Sequence, residues 1–172
     1  ITAATNLLNT NFGHFVFRGA FDLPDPAHGI RATEVSLKFD QFNIKPLLQS
    51  VYLGSNLNGN IDLKVRNLRW RDWRQAEWST TVDIEKSNLA KIKIDRLRLE
   101  ADKSSGKMTI TKGQLESDLA DAQISGYFEN QGMTDLQCQA EVKDLSLVGN
   151  IFPACRLAGK VDFNAKVTGL AD

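Results

Sequence analysis

Apolar and polar residues alternate along almost the whole chain, the period-two pattern of strands that cover one face and wet the other. Phe15, Phe17 and Phe21 begin it, and Val35, Leu37 and Phe39 follow. Leu57, Ile61, Leu63 and Val65 form the next run, then Trp78, Thr80, Val82 and Ile84. Ile92 and Ile94 lead into Leu97, Leu99 and Ala101 with the frame slipped by one residue, a slip that a β-bulge restores. Met108 and Ile110 come next, then Ala122, Ile124 and Phe128, then Leu136, Cys138, Ala140 and Val142. Leu157, Val161, Phe163, Ala165 and Val167 close the series, so the pattern predicts about nine amphipathic strands.

Turn formers separate these runs. Pro24 to Gly29 marks a loop, and the segments Asp102 to Gly106 and Asn130 to Gly132 each read as hairpin loops, because glycine takes the positive φ that such turns need. Consecutive strands are therefore expected to pair antiparallel in one long meander, an all-β fold. One short helix is expected over Pro46 to Leu53, with proline at its first turn and Gly54 just past its end. Residues 2–10 fit either a frayed tail or a second short helix.

Asn58-Gly59 is ordinarily a two-residue hairpin turn, but an internal echo argues for strand. The stretch Leu57 to Leu63 recurs as Leu157 to Phe163, sharing leucine, glycine and aspartate at matching positions, and the second copy lacks the Asn-Gly pair. The preceding segments also match: Phe42-Asn43-Ile44 before Pro46 to Leu53, and Leu145-Ser146-Leu147, as a strand, before Ile151 to Cys155. This predicts a repeat near 35–68 and 140–170 within a single unit spanning 1–172.

Composition narrows the function classes. With 42% hydrophobic and 24% charged residues among 172, the chain has ordinary globular usage and enough length for one domain. Its 21 basic residues balance its 21 acidic ones, so no global field draws it to nucleic acid or anionic membrane. It opens on Ile1, shows no signal segment and has no apolar run near the ~20 residues that span a bilayer, which reads as a piece of a larger protein. Cys138 and Cys155 lie 17 residues apart without a CxxC or nearby histidine, so no metal or other cofactor is expected. A disulfide between them and two small buried thiols both remain open.

No nucleophile with its base, no paired carboxylates, no phosphate-binding loop and no GxSxG stands in the sequence, so no enzyme is expected. His14 and His28 flank the first strand and its loop and read as surface residues. The unusual stretch runs from Arg66 to Trp78 and contains Arg69, Trp70, Arg71, Trp73 and Arg74. Interleaved Arg and Trp suit a lipid-headgroup interface, stacking on single-stranded nucleic acid, or the capping of a hairpin end. The absence of a basic surplus weighs against nucleic acid as a partner.

An amphipathic meander must cover its apolar face by sandwiching, by closing into a barrel, or by holding a ligand. Val35, Leu37, Leu57, Ile61, Leu63, Val65, Val82, Ile84, Ile92, Ile94, Leu97, Leu99, Met108, Ile110, Ile124, Phe128, Leu136, Val142, Leu157, Val161 and Phe163 form a smooth aliphatic lining suited to acyl chains. At ~0.8 kcal/mol per CH₂, a two-chain lipid of about 30 methylenes costs roughly 20 to 25 kcal/mol to expose to water, so a continuous apolar trough needs no precise motif to hold it.

The run Val35 to Ile44, the segment Pro46 to Leu53, and Leu57-Asn58-Gly59-Asn60-Ile61-Asp62-Leu63-Lys64-Val65 resemble repeating units of AsmA-like and TamB-like bacterial envelope proteins. So do Asp95 to Ala101 and Ala122-Gln123-Ile124-Ser125-Gly126, and the resemblance covers most of the chain from Glu34 onward. It implies a U-shaped, taco-like open β-groove in the periplasm of a Gram-negative bacterium, in a parent protein anchored in the inner membrane. Phospholipid acyl chains as cargo, movement toward the outer membrane or a role in its assembly, and an outer-membrane partner protein are implied with it. The Arg/Trp cluster is not a pattern of that family. The competing expectation is a non-catalytic β-sandwich scaffold, adhesin-like, that binds another envelope protein through a sheet edge.

Overall fold

The computed structural model describes residues 2–10, 13–21, 30–44, 54–68, 76–129, 132–152, 154 and 156–170. Ten strands run in chain order: β1 (Thr2–Thr10), β2 (Gly13–Phe21), β3 (Ile30–Phe42), β4 (Ser55–Leu68), β5 (Glu77–Leu89), β6 (Ile92–Ser104), β7 (Lys107–Ser117), β8 (Ala120–Glu129), β9 (Met133–Val142) and β10 (Val161–Leu170). Each pairs antiparallel with its sequence neighbours, and the order β1 to β10 is linear, so the sheet is an open meander and not a barrel. The competing sandwich is not how the chain folds: among the described residues there is one sheet, and each strand packs chiefly on its neighbours in sequence.

Each alternating run forms a strand, the last only from Val161 on, and three expectations are corrected. Residues 2–10 are neither tail nor helix; they pair with β2 as β1, because an available edge partner outweighs the weak strand propensity of Thr/Asn-rich sequence. Leu145–Leu147 is a 3-10 turn and not a strand, since Asp144 Oδ1 accepts the Ser146 N–H at 2.9 Å. The Ser146 hydroxyl and then this backbone bond hold the Asp144 carboxyl below its ordinary value near 3.8. The turn runs on into the short helix α1 (Val148–Ile151). Leu157–Lys160 is not strand either; β10 begins at Val161, so the echo of β4 (Ser55–Leu68) holds only from that residue on. Asn58-Gly59 does lie inside β4. The expected helix over Pro46 to Leu53 and the loop Pro24 to Gly29 lie outside the described residues.

Two-residue turns close two hairpins with both central residues at positive φ: Ser105-Gly106 between β6 and β7, and Ala90-Lys91 between β5 and β6. Positive φ at both positions twists the turn to match the strands. The predicted loop from Asp102 is thus tighter than expected, since β6 continues to Ser104.

Bulges keep the apolar residues in phase. The predicted slip in β6 is present: Ile94 pairs with Ser117 while Arg96 pairs with Glu116, leaving Asp95 as the extra residue. Gln41 and Lys86, at φ 54 and 46, sit at matching irregularities in β3 and β5. Polar side chains take up the backbone groups freed there. Asn58 Oδ1 accepts the Gln41 N–H at 2.9 Å, Asn58 Nδ2 donates to the Lys86 carbonyl at 3.0 Å, and Ser87 Oγ accepts the Asn58 N–H at 2.8 Å. Ser87 is fully buried, at 0% exposure. Ser87→Ala leaves the Asn58 N–H without its acceptor and is expected to lower unfolding free energy by about 1–3 kcal/mol, measured by urea denaturation. An unchanged midpoint would show that water replaces the hydroxyl.

Candidate functional site

In an antiparallel ladder, residues directly opposite each other point to the same side, so the register assigns every position to a face. One row reads Leu37, Ile61, Val82, Leu99, Gly113, Ile124, Cys138 and Ala165 from β3 to β10. A second reads Phe39, Gly59, Ile84, Leu97, Leu115, Ala122, Ala140 and Phe163. A third reads Val35, Leu63, Thr80, Ala101, Ile110, Gly126, Leu136 and Val167. Val65, Trp78, Met108 and Phe128 extend the same face at one end; Leu57, Ile92, Ile94, Val142 and Val161 extend it at the other. The proposed lining residues therefore share one face, except Leu157, which precedes β10 and is 48% exposed.

This face is continuous because bulges correct its parity. In β7, Thr111 is the extra residue, so Ile110 and Gly113 both join it, and Leu115 with them. Leu115 is a lining residue that alternation missed: counted onward from Ile110 at every second position, it falls out of frame. Lys112 is the sign of the switch, standing where unbroken alternation would put an apolar residue. Glycines on the face are covered by their neighbours. A side chain at Gly113 would strike Ile124 Cγ2, and Gly59 lies between Phe39 and Ile84. Missing side chains and bulges on one face are the devices by which a sheet curls.

Burial reports how this face is covered. Phe39 is 4% exposed, its ring 5.8 Å from that of Phe42. Most other lining positions are half-buried, and at the open edge Phe163 and Val167 are 52% and 58% exposed. With strands about 4.8 Å apart, ten strands make an arc roughly 43 Å long. An apolar band that long and several rows deep exceeds the few hundred Å² that monomers ordinarily leave wet.

The opposite face is mainly polar, with Val16, Met133 and Leu170 among its apolar exceptions. Lys38, Asn60, Asp83, Arg98, Gln114, Gln123, Gln139 and Asn164 form one cross-strand row. Clefts of about 510 and 550 Å³ open between these long side chains, lined by Gln114, Gln123, Gln139 and Asn164. Glu116, Asp121, Glu141 and Asp162 form a second polar row. Lys143 Nζ lies 2.6 Å from Asp121 Oδ1 and donates to the Ser117 carbonyl at 2.9 Å. The bond to Asp121 raises the Lys143 ammonium above 10.5, so its stabilisation is complete at neutral pH and is lost only as pH rises through the raised value. The remaining ion pairs, such as Lys64 with Glu34, are solvent-exposed and worth about 0–1 kcal/mol each.

Chemistry-bearing residues are dispersed. His14 is exposed on β2, and no group of three or more His, Cys, Asp or Glu able to hold a metal occurs among the described residues. Cys138 carries a free thiol on the apolar face. Cys155, His28 and the cluster Arg69, Trp70, Arg71, Trp73 and Arg74 lie outside the described residues. No helix among the described residues is long and apolar enough to cross a membrane. Comparison with protein-family models, curated proteins and solved structures finds no match to this chain.

Proposed function

We propose that this chain is a non-catalytic lipid-sheltering segment of an envelope conduit, holding phospholipid acyl chains on the apolar face of its curled sheet. One observation supports this above the rest: apolar residues stay in register on one face of a single open sheet from β3 to β10. The hydrophobic effect is nondirectional, so such a face binds acyl chains without a motif, and an open side lets headgroups remain in water. In this proposal the parent protein is anchored in the inner membrane and the segment stands in the periplasm, as for AsmA-like and TamB-like proteins. The Arg/Trp stretch between β4 and β5 is assigned to headgroup or interface contact.

The test is the lipid content of the chain purified without detergent. Native mass spectrometry, with organic extraction of the same sample, is expected to find bound phospholipid near one per chain. A lipid-free protein that also takes up no fluorescent phospholipid from vesicles would overturn the proposal.

A further inference from the structure

The apolar face is not chemically uniform along its strands. Among its paired positions in the described residues, one carries a charge: Lys103, which stands opposite Trp78 on β5 and Met108 on β7. Val65 and Phe128 are the next positions of that row, so the lysine sits inside a band of large apolar side chains. Lys103 is half-buried. A lysine so placed lays its methylene stem along apolar surface and carries its ammonium to the rim. The other lysines at this end of the sheet, Lys64 and Lys107, fall on the polar face, where each pairs with a glutamate.

The two ends of the face differ. Toward the β5–β6 turn its polar members include Ser87 and Ser117, 0% and 2% exposed. Both hydroxyls are engaged within the sheet: Ser87 Oγ accepts the Asn58 N–H, and Ser117 Oγ donates to the Ala120 carbonyl at 2.7 Å. Neither can serve a ligand. At the other end, β4, β5 and β6 border a cavity of about 200 Å³ whose lining includes Lys64, Arg66 and Lys103 against Glu77 and Asp102, three cations to two carboxylates.

We propose, on the basis of the acyl-chain reading above, that Lys103 contacts the phosphate of the bound phospholipid and so fixes the headgroup at the β6–β7 end of the sheet, with the chains directed toward Leu97. The dimensions agree. β6 advances about 3.3 Å per residue, so Lys103 to Leu97 covers about 20 Å, enough for the roughly 15 Å that acyl chains occupy in one leaflet. Ala101, Leu99 and Leu97 line that path on β6 itself. Trp78 stands beside the ammonium as indoles stand at a membrane surface, level with the headgroups. An ammonium has three donors, so a contact within the protein leaves others for phosphate oxygens. The apolar wall lowers the local dielectric and strengthens the attraction between cation and phosphodiester. A diacylglycerol has the same chains without the anion, so this one residue discriminates between the two.

The test offers the intact chain dioleoylphosphatidylglycerol or dioleoylglycerol, each delivered from cyclodextrin, with occupancy read by native mass spectrometry. The unaltered chain is expected to prefer the phospholipid about fivefold, the effect of one lysine near anionic lipid. Lys103→Met, which keeps an unbranched apolar stem, should abolish that preference while leaving dioleoylglycerol occupancy and the urea midpoint unchanged. Lys103→Arg should retain it. Lys107→Met, which removes a cation of the same end from the polar face, should also retain it. Glycerol phosphate, the anion without chains, should not displace the phospholipid. A preference that survives Lys103→Met, or falls equally in Lys107→Met, would overturn the assignment of Lys103 and leave the acyl-chain reading standing. Displacement by glycerol phosphate would make this a site for free phosphate and overturn it likewise. An unaltered chain that takes up neither lipid would overturn the acyl-chain reading itself.

Discussion

Gly126→Ala should cost this protein far more stability than Gly106→Ala, although both replace a glycine at positive φ with the same methyl group. Gly106 sits at φ 82 in an exposed two-residue turn, and a Cβ built there meets nothing within 4 Å. Its replacement therefore carries only conformational strain, about 1–2 kcal/mol. Gly126 sits at φ 125 in the middle of β8, opposite Ile110 on one side and Leu136 on the other. A Cβ there runs into the Asp135 carbonyl oxygen and comes within 2.9 Å of Leu136 Cα, both backbone atoms of the paired strand. Neither can swing aside without breaking the β8–β9 ladder, so the change joins the small class that exceeds about 4 kcal/mol. Against a total stability of about 5–15 kcal/mol, the expected result is a large drop in the urea midpoint by circular dichroism, or no folded protein at all. Equal midpoints for the two variants would show that β8 and β9 are free to separate at that point.

The same residue shows where the sequence is legible and where it is not. Gly126 interrupts the alternation of Ala122, Ile124 and Phe128 without any local mark that backbone lies against it, because close approach is a property of the neighbouring strand. Alternation, by contrast, is local, and it located β2 to β10 and the shared face of nearly all the lining residues. It failed where a strand depends on a partner and not on its own pattern. Thr2–Thr10 has little alternation and becomes β1 by pairing with β2. Leu145-Ser146-Leu147 alternates as a strand would, yet the Asp144 side chain bends it into a 3-10 turn, a competition that three residues of pattern cannot express.

Parity across bulges sits between these cases. Ile94 to Leu97 breaks the frame between two aliphatic pairs, so the break is visible and the bulge at Asp95 could be anticipated. Ile110 to Gly113 breaks it next to a glycine, which has no polarity to count, and Leu115 was lost to the lining for that reason. The repeat is legible to the same degree: β4 and the segment ending in β10 share leucine, glycine and aspartate, but only the part from Val161 onward is strand. A Cβ built on Gly59 would strike the Asp83 carbonyl oxygen and crowd Ile84 Cα, whereas one built on Gly159 meets nothing within 4 Å, so an identical residue serves a packed strand in one place and an open connection in the other.

Ile61→Asp and Ile124→Asp should separate lipid binding from folding. Both residues lie in one cross-strand row, Ile61 between Leu37 and Val82, Ile124 between Gly113 and Cys138, and both are half-buried. In a closed core an unpaired carboxylate at either position would cost several kcal/mol and unfold the chain. On a face with no opposing layer the carboxylate reaches water, and the loss is limited to the apolar contact of one half-covered side chain, about 1–1.5 kcal/mol. The two variants are therefore expected to fold, with a modest fall in the urea midpoint. Their retained phospholipid should fall several-fold by native mass spectrometry, since a charge in the middle of the row interrupts the surface on which an acyl chain lies. Asn60→Asp, at the neighbouring position on the polar face, carries the same carboxylate and should leave the lipid content unchanged. Unfolding of both isoleucine variants would mean that protein covers this face. Folding with unaltered lipid would mean that any bound lipid lies elsewhere, and either result removes the physical basis for a conduit.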